Sequence, residues 1–308
     1  MACVADLPSF PTMRPLRSLL LFILFVFVGG ALLAPQLYFL LQKVAPTSHL
    51  LSAGFHRYIN RSLICLALIG IWPLLKSLGA TSWKELGLVK PIGQLKNWAA
   101  GFVLGFGSLA CLALIVLLSH GRILNHDLSS NVLGKKVGEA VIAALSVSII
   151  EEILFRGAIF GALRRIWNWR TALLISSMIY AIVHFFQKND ISGPITWYSG
   201  FNQLLHMLSG FINLQQVIPG FFNLTLAGII LGVAYQKTGN LYLSMGLHAG
   251  WIFWLKFYGT LTQPLPGSNV WFWGSENPTT GWLALIVLLG AFLVLQQLLP
   301  QKRPKNPA

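Results

Sequence analysis

The sequence predicts an all-α fold: a polytopic integral membrane bundle of about eight transmembrane helices. Hydrophobic residues make up 55% of the 308 and charged ones only 10%, whereas soluble domains carry roughly 25% charged residues. Mean hydropathy is +0.68. The apolar residues also gather into separate runs near membrane-crossing length, about 20 residues per span. In lipid such a run must satisfy its backbone internally, which makes it a helix.

The first run, 18–42, follows Arg14 and Arg17 as a signal peptide's apolar region would. It exceeds the roughly 7–15 residues of such a region and is read as a retained span. Further runs lie at 63–78, 98–119, 138–166, 171–186, 219–236, 241–257 and 281–299. The second and fifth are short. Between 187 and 218, Gly193-Pro194 breaks the chain, and the semi-apolar stretch 195–214 carries Trp197, Tyr198 and His206. That stretch suits an interfacial amphipathic helix, a re-entrant element over the site, or a plain loop. His206 reads as a polar-face residue. The segment 260–280, with Trp271, Trp273 and three prolines, reads as an aromatic interface belt, and 301–305 as a short basic anchor. The resulting division is an N-terminal cytoplasmic segment (1–17), N-terminal transmembrane helices and loops (18–137), a membrane core (138–258), and a last loop, final helix and tail (259–308).

The net charge of +14 is spread over loops rather than gathered into a basic tract, so the lipid bilayer, not nucleic acid, is the expected partner. With the N-terminus inside, thirteen Lys and Arg fall on the inner side and eight on the outer. Both termini are therefore expected in the cytoplasm, in a bacterial plasma membrane. Cys3, Cys65 and Cys111 form no C-x-x-C and no close pair, which argues against a disulfide framework or a zinc-thiolate site.

Chemistry concentrates at Ser146 to Gly157, where Glu151, Glu152 and Arg156 interrupt an apolar run in a chain with only eight Asp and Glu. Intramembrane ionisable groups are costly unless paired or facing a cavity. Residues four apart share a helix face, so Glu152 pairs with Arg156 while Glu151, about 100° round, is spare. Two more polar groups sit in later apolar runs, His184 and His248. One carboxylate with two imidazoles suits water activation, with Glu151 as base and an imidazole orienting water or stabilising an oxyanion. Glu151, His184 and His248 would equally hold a zinc ion with an open position, and the sequence leaves metal use undecided. No G-x-S-x-G elbow competes.

Glu151-Glu152-Ile153-Leu154-Phe155-Arg156-Gly157, then Tyr180 four before His184, then His248, resembles the CPBP family. That family includes type II CAAX prenyl proteases and bacteriocin-processing or immunity membrane proteins of the ABI type. The E-E-x-x-x-R motif matches in full, and in F-x-x-x-H Tyr180 stands for Phe. H-x-x-x-N is half met, with Ile252 in the Asn position. The resemblance covers about 138–254. It implies an intramembrane endopeptidase, glutamate-dependent or metal-dependent, acting on a membrane protein or peptide, lipidated or not. Carried over by position, Glu151 is the base, His184 holds the attacking water, Glu152 and Arg156 form a structural pair and His248 binds the oxyanion. Asn223 in the preceding run is offered as a substitute for the missing Asn. Two other readings stand beside this one: a non-catalytic binding or immunity protein, motivated by Ile252, and a proton-coupled transporter, motivated by Glu and His in spans. The broken helices in paired halves that mark many transporters are not found.

Overall fold

The computed structural model describes residues 13–45, 54–79, 82–186 and 189–299; the first twelve residues and the basic stretch 301–305 lie outside them. Each apolar run forms helix. The elements are α1 (Met13–Val44), α2 (Phe55–Ser77), α3 (Leu95–Leu118), α4 (Ser130–Glu151), α5 (Trp169–His184), α6 (Ser199–Met207), α7 (Leu214–Thr238), α8 (Tyr242–Leu261) and α9 (Trp282–Leu298). Four of these, α1 from Pro15 onward, α2, α3 and α7, are by themselves long and apolar enough to cross a membrane. With almost no strand, this is an all-α membrane bundle.

The run read as one helix over 138–166 differs at both ends. It starts eight residues earlier, because the Ser129 side chain accepts from the Val132 N–H and caps the first turn. Capping, not hydropathy, sets that start. After Glu151 the backbone widens into a π-helix, Glu152–Phe160, before a last α-turn at Gly161–Leu163. Such π segments cluster at functional sites, and here the widening coincides with the buried Glu152 and Arg156.

Central to the bundle is α8, whose residues from Leu243 to Ile252 are all buried. It lies backbone to backbone against α3. A Cβ at Gly101 or Gly105 would fall on the carbonyls of Leu243 or Leu247, and one at Gly246 or Gly250 on the backbone of Trp98 or of Phe106. Two small-residue spacings of four thus let the axes approach, the usual device of helix pairs in lipid. His248 sits between Gly246 and Gly250, so this contact fixes its depth.

The stretch 195–214 contains a short helix, α6, and is not a plain loop. α6 packs on α1, and Met207 joins Phe55, Tyr58 and Ile59 in a small cluster at one end of α1 and α2. One feature was not foreseen: β1 (Arg122–Leu124) pairs antiparallel with β2 (Thr262–Pro264). Arg122 clamps this ribbon, donating to the Thr262 hydroxyl at 2.8 Å, the Thr262 carbonyl at 3.0 Å and the Ser275 carbonyl at 2.9 Å. Its guanidinium lies over the Tyr258 ring, and burial pulls its pKa below the usual arginine value.

Candidate active site

Glu151 closes α4 and Glu152 opens the π segment, so the two carboxylates leave the helix in different directions. Glu152 is fully buried and pairs with Arg156 at 2.9 Å, as the four-residue spacing requires. The same Oε1 also accepts from Nδ1 of His248 at 2.9 Å. That bond joins residues 96 apart and had no signal in the sequence. It sets the ring: Nδ1 carries the proton, and Nε2 of the neutral imidazole points away from Glu152.

His184 is the last residue of α5, a helix started by the Asn168 side chain accepting from the Arg170 and Thr171 N–H groups. Its Nδ1 lies 2.7 Å from the Tyr180 carbonyl. A carbonyl only accepts, so Nδ1 donates and Nε2 of the neutral ring is left as an acceptor.

The two Nε2 atoms converge on one carboxylate oxygen. Glu151 Oε2 is 3.6 Å from His184 Nε2 and 3.7 Å from His248 Nε2. Both distances exceed a hydrogen bond, and this buried oxygen has no hydrogen-bond partner among the described residues. Glu151 is 23% exposed and His184 28%, against 1% for His248, so the cluster is open on the Glu151–His184 side.

Glu151 also stands in the wall of an apolar cavity of about 420 Å³ between α1, α2, α4 and α5, lined by residues such as Phe22, Val26, Ala67, Phe155 and Ile179. Among the described residues of that wall it is the one charged group. α1 and α2 supply one wall of this space, and His248 of α8 does not line it.

Tyr180 adds a group that the motif comparison treated as a ring alone. Its hydroxyl is 3.3 Å from His248 Nε2, its ring packs edge-on to Phe155, and the Arg156 guanidinium lies 4.5 Å from its centroid. Ile252 is buried against Ala144 and Ala249 and brings no polar atom to the cluster. Asn223 is not a substitute donor, since its side-chain amide donates to the carbonyls of Thr279 and Gly281 at 2.7 and 2.8 Å and ties down the start of α9.

The zinc set that the sequence offered does not fit. Among the described residues no group of three His, Cys, Asp and Glu is arranged to hold a metal ion. His248 Nε2, which would have to be a ligand, already faces the Tyr180 hydroxyl.

Residues 134–254 match the family model described as type II CAAX prenyl endopeptidase Rce1-like. No curated protein and no solved structure matches the chain. The matched segment holds all five of Glu151, Glu152, Arg156, His184 and His248. Residues 134–254 are thus similar to the Rce1-like type II CAAX prenyl endopeptidases, a likeness consistent with the CPBP intramembrane proteases that the motifs resemble.

Proposed function

We propose that the protein is an intramembrane endopeptidase that hydrolyses a peptide bond of a membrane-associated, CAAX-type substrate, with Glu151 as general base. One observation carries this reading: the carboxylate that the Glu152–Arg156 pair leaves over is aimed at two imidazole nitrogens 3.6 and 3.7 Å away. At that separation Glu151 Oε2 and His184 Nε2 can both accept from one water lying between them, at about 2.8 Å. Such a water gives one hydrogen to Glu151 Oε2 and the other to His184 Nε2, which presents a lone pair because its Nδ1–H is donated to Tyr180. An oxygen lone pair of the water is then free to attack a carbonyl carbon. Glu151 takes the proton as the C–O bond forms and passes it to the leaving nitrogen as the C–N bond breaks. His248, fixed by Glu152, marks the side on which the carbonyl oxygen gains charge.

The apolar cavity supports a substrate that brings an apolar chain, lipid or side chain, to the same carboxylate. Burial of that chain would hold the scissile bond in place by the hydrophobic effect rather than by hydrogen bonds.

The test is cleavage of a farnesylated CAAX peptide by the purified full chain, beside a Glu151→Gln variant that keeps the side-chain size. Loss of turnover with unchanged thermal stability is expected; retained turnover would discard the reading. A second reading, a peptide-binding protein without turnover, is favoured by the apolar Ile252 at the edge of the cluster. It gains if the wild-type chain binds such a peptide and never cuts it.

A further inference from the structure

A hydrolytic site of this kind needs a donor aimed at the oxygen on which negative charge develops. Neither imidazole offers one in the neutral form. His184 gives its only N–H to the Tyr180 carbonyl, and His248 gives its only N–H to Glu152. One helical turn beyond His248 stands Ile252, which has no polar side-chain atom. A hydroxyl that reaches the cluster is that of Tyr180, 3.3 Å from His248 Nε2.

With Nδ1–H given to Glu152, Nε2 of the neutral His248 ring is a lone pair and accepts from the Tyr180 O–H. The Arg156 guanidinium, 4.5 Å from the ring centroid, places positive charge behind the same phenol.

We propose that Tyr180 is the oxyanion donor of this site: its O–H rests on His248 Nε2 and turns to the substrate carbonyl oxygen as that oxygen becomes anionic. This inference rests on the hydrolytic reading above. No proton is transferred in the step; one hydrogen bond is exchanged for another, and His248 serves as the hydroxyl's resting acceptor. Tyr180 is then a catalytic residue, Glu152 and Arg156 are positioning residues, and an apolar residue at 252 is tolerated because the donor comes from α5 instead of α8.

The test is Tyr180→Phe, which keeps the ring against Phe155 and Arg156 and removes the hydroxyl alone. In the farnesylated CAAX peptide assay kcat should fall about 100- to 1000-fold, with KM unchanged within about twofold. Affinity for a phosphinate pseudopeptide, whose tetrahedral oxygens imitate the charged intermediate, should fall with it, while binding of the uncleaved peptide to Glu151→Gln is unaffected by adding Tyr180→Phe. A wild-type kcat in Tyr180→Phe, with Glu151→Gln inactive, overturns the tyrosine's role and leaves the base assignment standing. Unchanged phosphinate affinity overturns it as well. Turnover retained in Glu151→Gln removes both proposals.

Discussion

Replacing Glu152 with Gln removes one buried charge and little volume, so it isolates what the ion pair contributes. The carboxylate is fully buried, Arg156 is 4% exposed, and the two stand 2.9 Å apart. At an effective dielectric of about 20, their gross attraction is about 6 kcal/mol. Desolvation of both ions offsets much of that, but removing one partner leaves the other's cost uncompensated. The expected loss for Glu152→Gln is therefore about 3–5 kcal/mol, and the same for Arg156→Met. Combining Glu152→Leu with Arg156→Met removes both ions at once. What then stays unsatisfied is mainly the His248 Nδ1–H, which costs about 1–3 kcal/mol. The double variant should thus be more stable than either single one, a marked failure of additivity between residues in contact. Equilibrium unfolding in mixed micelles, read by tryptophan fluorescence, measures these variants beside the single Glu152→Leu, which closes the cycle. If the single variants unfold within about 1 kcal/mol of the wild type, or the double variant loses the sum of both, the pair is not the buried, mutually dependent unit described here.

Two further outcomes follow from the packing and from the loop behind the site. Gly105→Ala places a Cβ on the Leu247 carbonyl and should cost more than about 2 kcal/mol by forcing α3 off α8, whereas Gly107→Ala, with nothing within 4 Å, should stay within about 0.5 kcal/mol; equal effects in the unfolding assay would contradict the backbone contact. Asp190 ties the loop after α5 to the start of α2, accepting from the His56 N–H at 2.8 Å and meeting the His56 ring at 3.0 Å. Burial opposes its charge, but the His56 bonds and Arg57 outweigh this and hold the carboxyl below its usual range. A depressed carboxyl stabilises the fold above its unfolded value of about 3.9 and loses that effect as pH falls through the lower folded value. Hydrogen-exchange protection of residues 189–196 should therefore drop as pH falls below the ordinary aspartate value of about 3.9, and the step should vanish in Asp190→Asn. A step of the same size in the variant would assign it to another group.

The sequence by itself determined the membrane class, the helical character of all eight runs and the pairing of Glu152 with Arg156. These follow from short-range rules: hydropathy over about 20 residues, and the four-residue repeat of a helix face. It also marked Glu151 as the spare acid and singled out the two histidines, because polar groups in apolar runs are conspicuous one at a time. Only the tertiary structure decided how these residues meet. The Glu152–His248 bond, the Tyr180 hydroxyl on His248, the use of Asn223 to hold α9 and the walls of α1 and α2 around the cavity all join segments far apart in the chain. Such contacts depend on how closely the helices approach, and here that is set by glycines against carbonyls on α3 and α8, whose spacing is readable in the sequence but whose partner is not.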